Sequence, residues 1–265
     1  MEPEIVQDQP FDRALRRLRR DRAAARGAGA DYLLRRAADE LVERLALVRR
    51  PFADALDLGC GGGYLTAALR ARGLGVVAAD PGAAFALRAG GVQCDEDRLP
   101  FADAAFDLVV SVGTLDSVND LPGALALIRR TLRPGGLFLA AFAAAGSLPR
   151  LRSAMRAAEE AEGGEASAHI HPQIDVRAAG DLLSRAGFAL PVADVEAVTV
   201  RFSSLLQLVD DLRGMAAANI LRARGGRPFG RAGLAAAIAD FTAHADEDGK
   251  TAERFEIVYL SGWAP

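Results

Sequence analysis

Asp57, Gly59, Gly61 and Gly63 recur at every second position in "DALDLGCGGGYLTAAL", residues 54 to 69, between two apolar runs. A glycine inside an element costs about 0.5–1 kcal/mol relative to alanine. Four glycines within five positions (59, 61, 62 and 63) therefore need a local reason. A strand that enters a helix through such a loop brings bare backbone close to a ligand and leaves amide donors at the helix start. The dinucleotide fingerprint spaces its glycines as G-x-G-x-x-G. The pattern here is different, and an acid precedes it by two residues. The plain alternative is a loop that only turns the chain.

Other residues could take part in chemistry. Asp80 closes the apolar run "GLGVVAAD" about 20 residues after the glycine loop, where an acid can accept hydrogen bonds from ribose hydroxyls. Each such charged bond is worth about 1.5–3 kcal/mol. Asp95 and Glu96 follow the next short β-like stretch. Asp116, Asn119 and Asp120 follow "FDLVVS" at the sheet edge where ligands bind; Asp120 suits the helix cap, while Asp116 could hold a cationic acceptor such as a guanidinium. His169 and His171, with Asp175, have the residue types of a two-histidine, one-carboxylate iron site. With three histidines in the chain the choice of ligands is small, no metal is expected, and His169 is read as a substrate-side contact. Arg213 and Asn219 either line a cap or pack on the core. Cys60 and Cys94 are the only cysteines, which gives neither a disulfide framework nor a cysteine zinc site.

These residues need a sheet to position them. Ala53–Leu58 reads as a strand, Tyr64–Ala71 as a helix, residues 73–80 as a second strand and residues 106–111 as a strand buried on both faces. "TLRPGGLFLAAF" ends a helix, turns and begins another strand; "DVRAAGDLLSRAGF" is a helix ending at Gly187. Strands around residues 191–200 and 254–263 close the pattern. The alternation predicts an α/β, doubly wound sheet with right-handed crossovers. Residues 1–52 are expected to form an N-terminal helical lid, 53–145 the nucleotide-binding core, and 146–265 the rest of the same domain, with cap insertions at 146–180 and 203–250. Phe11–Arg26 has Phe11, Ala14, Leu15 and Leu18 at helical spacing with arginine on the other faces. A solvated amphipathic helix, a docking helix and a lid over the cofactor all remain open for it. Asp31 is placed as the N-cap of the next helix.

The chain has 265 residues, net charge −3 and 51% hydrophobic residues, enough for one sizeable α/β domain. Its slightly acidic balance, with no aromatics among the arginines, argues against nucleic acid. No apolar run has membrane-spanning length and no signal-peptide core follows Met1-Glu2-Pro3-Glu4, so a cytoplasmic protein is expected.

Asp57-x-Gly59-x-Gly61-x-Gly63 resembles motif I of the class I S-adenosylmethionine (SAM) methyltransferases. That resemblance implies a Rossmann-like, seven-stranded, mostly parallel sheet whose last two strands form an antiparallel edge. It implies SAM as cofactor, held by Asp57, Gly59, Cys60, Gly61, Gly63, Asp80, Asp95, Glu96 and Ser111, with Asp95 receiving the adenine amino group and the Glu96 amide touching the ring. "FDRALRRLRRDRAA", "DYLLRRAADELVERL", "VNDLP", "LRPGGLFLAAF", "DLRGMAAAN" and "YLSGW" further resemble the respiratory complex I assembly factor 5 family, and more weakly the carrier-protein methyltransferases of biotin synthesis. Where that family has Leu-His-Trp, this chain has Leu115-Asp116-Ser117. The resemblance implies an enzyme that modifies a protein arginine, on an iron–sulfur subunit of NADH dehydrogenase, during complex I assembly. Its alternatives are an O-methyltransferase acting on a small molecule or carrier-bound acyl group, and a non-catalytic SAM-binding assembly factor. Asp116, Asn119 and His169 are the substrate-side candidates.

Overall fold

The apolar run Asp54–Leu58 (β1) is buried from its second residue on and pairs in parallel with Gly75–Asp80 (β2) on one side and Phe106–Val112 (β4) on the other. The sheet order is β3-β2-β1-β4-β5-β7-β6, where β3 is Val92–Gln93, β5 Leu132–Ala143, β6 Ala189–Phe202 and β7 Thr251–Trp263. The first five strands are parallel, whereas β7 runs antiparallel to both β5 and β6. Strand order reverses at β1 and β4, so their carboxyl ends open the crevice where ligands of such sheets bind. This is the expected doubly wound, mostly parallel seven-stranded sheet. The computed structural model describes residues 9–27, 29–164, 167–224 and 228–265; Met1-Glu2-Pro3-Glu4 and the expectation attached to it fall outside them.

Helices cover both faces. Tyr32–Ala46 (α2) and Tyr64–Ala71 (α3) bury Leu41, Leu45, Leu65 and Leu69 against one face. Leu121–Thr131 (α5) and Val176–Arg185 (α7) bury Leu125, Ile128, Leu182 and Leu183 against the other. A third cluster lies beyond the sheet's ends, where Pro149–Glu162 (α6), Leu205–Gly214 (α8) and Arg231–Thr242 (α9) gather Leu151, Leu208 and Phe241 around Phe202 and Phe255. The expected cap interval 146–180 is too long at its end, because α7 from Val176 onward packs on the sheet's core.

Two local expectations change. Asp31 occupies the N-cap position of α2, but its carboxylate bonds the Arg35 side chain (2.8 Å) rather than a helix amide. Asp120 does cap α5, accepting from the Gly123 amide at 2.8 Å. The larger change is in Arg13–Arg26 (α1). The helix does not present its arginines only to solvent: Arg16 and Arg20 are each 6% exposed, while Leu18 is 44% exposed. Its inward face is charged because acids lie beneath it, as the site shows. The remaining helix, Ala83–Ala89 (α4), receives α1 through the Asp21 carboxylate on the Ala84 amide, 2.9 Å.

Candidate functional site

The glycine loop is tied to β2, since the Gly59 and Cys60 amides both donate to the Ala79 carbonyl, at 2.7 and 2.9 Å. Gly59, Gly61 and Gly63 have φ of 85°, 51° and 80°, the left-handed region that side chains avoid. At Gly59 there is also no room, because a Cβ would fall 2.3 Å from the Thr114 methyl. Above Gly62 and Gly63 a Cβ would meet nothing within 4 Å, so the loop borders open space. That space is a cavity of about 190 Å³ lined by Asp57, Gly59, Cys60, Gly61, Gly62, Tyr64 and Arg20, among others.

Asp57 is buried and accepts from the Thr66 hydroxyl at 2.5 Å. Burial pushes its pKa up to about 6, Thr66 opposes this, and the Asp80 charge adds to it. The folded state thus prefers the neutral acid, and this group withdraws stability as pH rises from about 4 through 6. Two units correspond to roughly 3 kcal/mol at pH 7.5. Asp57→Asn is expected to unfold at higher urea than the parent at pH 7.5 and at the parent's midpoint at pH 4. The same difference at both pH values would refute the assignment.

The other acids lie under α1. Asp80 Oδ1 accepts from the Gly82 amide (2.7 Å) and Arg20 Nε (2.6 Å); Oδ2 accepts from the Gly61 amide (2.9 Å) and Arg20 Nη2 (2.5 Å). Burial pulls the proton affinity of Arg20 down and the Asp80 carboxylate more than restores it. Glu96, fully buried, holds Arg16 through two bonds of 2.6 and 2.9 Å, and Arg16 also donates to the Thr114 carbonyl. Arg17 donates to Asp95 Oδ2 at 2.6 Å, while Arg13 bonds Asp97. Asp95 Oδ1 is buried without a partner among the described residues. The cradle over Gly61 and Gly62 fits an adenosyl amino acid, and Asp95 Oδ1 is a bare acceptor beside it. Asp80, Asp95 and Glu96, however, are buried under α1 and do not line the cavity. Sequence reasoning did not find Arg16 and Arg20; their i, i+4 spacing, which puts them on one face of the helix, was the available signal.

Ser111 is buried behind the loop and meets the Thr114 hydroxyl at 3.1 Å, so it supports the cradle and does not line the cavity. Gly63 is the residue from which α3 starts.

A second cavity, about 320 Å³, adjoins the first and shares Leu34, Val112, Gly113 and Met215 with it. Most of its wall is apolar: α2, α6 and α8 contribute Leu34, Leu151 and Leu212, among others, and the rest comes mainly from β5, β7 and the segments 169–173 and 215–219. Half-buried Asp116, in the 3₁₀ turn Leu115–Ser117, lines it, as do His169, His171, Arg213 and Asn219. His169 bonds Glu159 and Ser167, both at 2.9 Å. His171 Nε2 accepts from the Ile220 amide at 3.2 Å, which puts its proton on Nδ1; burial lowers its pKa, Asp116 opposes that and Arg16 adds to it. Asp175 caps α7. Among the described residues no three His, Cys, Asp or Glu side chains are grouped to hold a metal. Asn219 braces the Ala168 carbonyl and the Leu221 amide. Asn119 does not join the cavity; it clamps the Phe11 amide and carbonyl at 2.9 and 3.1 Å.

Comparison with known proteins agrees with this geometry. A methyltransferase-domain family model matches residues 56–140. The chain is 35% identical over 263 residues to the mitochondrial arginine-hydroxylase NDUFAF5 of Homo sapiens, covering 96% of this chain and 76% of that one. It is 31% identical over 275 residues to the malonyl-[acyl-carrier protein] O-methyltransferase of Methylovorus sp., covering 96% and 90%. The solved phosphoethanolamine N-methyltransferase 2 of Haemonchus contortus, in complex with SAM, shares the fold at TM-score 0.51 and 15% identity, over 86% of this chain and 52% of that one.

Proposed function

Since this chain belongs to the class I SAM-dependent methyltransferase family and is a SAM-dependent transferase, we propose that its acceptor is an arginine side chain of a protein, handled in assembly of respiratory complex I. SAM, when bound, supplies an electrophilic methyl group on a sulfonium. Asp57, the amides of the Gly59–Gly63 loop, Asp80 and Asp95 are the residues that would hold it. Val112 and Gly113 form the wall between the two cavities, and the apolar lining of the larger one keeps water from the acceptor.

One observation carries the arginine reading. Asp116 is a half-buried carboxylate in the acceptor cavity with no hydrogen-bond or ion-pair partner among the described residues. A guanidinium fork can meet it with two parallel bonds. Similarity to NDUFAF5 along nearly the whole chain supports the same acceptor. Asp116→Asn is expected to weaken acceptor capture roughly ten- to a hundredfold and to leave SAM affinity unchanged. Mass spectrometry of the iron–sulfur subunit of NADH dehydrogenase, from strains with and without the protein, decides the acceptor. Equal arginine masses in both strains would rule it out.

A second reading, O-methylation of a carrier-bound or free carboxylate, is favoured by Arg19. Its Nε is buried without a partner among the described residues, and burial together with the nearby Arg22, Arg213 and Arg224 charges lowers its proton affinity. Surplus positive charge beside an apolar cavity suits an acid with an aliphatic chain. We place the site of action in the cytoplasm. Two buried, unpaired thiols, Cys60 and Cys94, suit a reducing compartment, and no helix among the described residues is long and apolar enough to cross a membrane.

A further inference from the structure

The α1 arginines and the cofactor's ribose make claims on one carboxylate. A carboxylate has about four lone-pair sites. On Asp80 all four are taken, two by the Gly61 and Gly82 amides and two by the Arg20 guanidinium. The amides belong to the glycine loop and to the turn into α4, so they cannot leave without dismantling the cradle. Arg20 is held at the end of a rotatable arm.

We propose that Arg20 is a latch on the cofactor site, and that a ribose binds Asp80 only by taking the place of its guanidinium. The proposal rests on the assignment of the glycine loop and Asp80 to SAM.

Three features support an exchange of side chains beneath a helix that stays docked. First, α1 is anchored independently of Arg20. The Asp21 carboxylate takes the Ala84 amide, Arg16 is fixed on Glu96, and the Asp12 amide donates to the Ile220 carbonyl at 2.9 Å. Second, α1 seats closely on the turn after β2, since a Cβ on Gly82 would fall 2.7 Å from the Arg20 Cβ. The arginine backbone is therefore fixed, while its guanidinium is held through rotatable side-chain bonds and its two hydrogen bonds to Asp80. Third, Arg20 and Phe85 both line the 190 Å³ cavity over the glycine loop, and the Phe85 ring, 5.4 Å from the Arg20 Cζ, is a face along which the displaced head can turn at the cavity's edge.

The latch serves the empty protein. With no ligand, Asp80 would be a fully buried carboxylate with only two amides to balance it. Arg20 neutralises it, and the ribose hydroxyls relieve Arg20 of that role when the cofactor arrives.

The test uses the full chain, with S-adenosylhomocysteine and adenosine as probes. Calorimetry on Arg20→Ala should show both probes binding about tenfold or more tightly than to the parent, and Arg20→Lys should fall between. A folded Arg20→Ala protein that binds either probe no better than the parent overturns the latch. Should Arg20→Ala not fold, the parent protein decides. Its Arg20 Nε–H resonance, identified by its loss in Arg20→Lys, should shift on saturation with adenosine as with S-adenosylhomocysteine. An unmoved resonance at saturation overturns the latch and leaves the cofactor assignment standing. If neither probe binds parent or variants, the cofactor assignment falls and the latch with it.

Discussion

Asp80→Ala is expected to lower the stability of the empty protein by about 3–5 kcal/mol, because it strands the Arg20 guanidinium in a buried site. Both partners are inaccessible, at 0% and 6% exposure. The variant also loses the ribose acceptor, so adenosine and S-adenosylhomocysteine should bind at least tenfold more weakly than to the parent. Denaturant titration separates the causes. If stranded charge dominates, Arg20→Met added to Asp80→Ala recovers most of the lost stability, since an apolar side chain of similar length has no charge to desolvate. A double variant as unstable as Asp80→Ala alone would show that the lost bonds from the Gly61 and Gly82 amides dominate, and the charge argument would fail.

Gly59→Ala should cost several kcal/mol and remove measurable cofactor binding. Two penalties combine. A side chain at φ 85° is strained by about 1–3 kcal/mol. Its Cβ would also lie 2.3–2.9 Å from three side-chain atoms of Thr114, which is fully buried and bonded to Ser111, and overpacking of that kind costs typically 1–3 kcal/mol. Relief requires the loop to move off the Ala79 carbonyl, and that spoils the cradle. Gly62→Ala is the control, because its Cβ meets no atom within 4 Å and its φ is not positive. Thermal unfolding should place it near the parent. Equal stability for the parent, Gly59→Ala and Gly62→Ala would disprove the close approach to Thr114.

By itself the sequence determined what local patterns encode. The strand–glycine–helix unit, β4 as a strand buried on both faces, the Asp120 cap and the positions of Asp57 and Asp80 follow from periodicity, residue type and spacing, which neighbours along the chain decide. The direction of α1 was beyond that reach. A hydrophobic rule points Leu18 inward and the arginines outward, yet Leu18 is exposed and Arg16 and Arg20 are buried, because Asp80 and Glu96, 60 and 80 residues away, present buried negative charge to Arg20 and Arg16. The same holds for Asn119, which looks like a site residue until the Phe11 backbone folds onto it from 108 positions away. Asp116, His171 and Arg19 come to one cavity only once α1, the turn after β4 and the cap have packed together. Burial of charge depends on partners distant in sequence, so only the tertiary structure could decide where the arginines went.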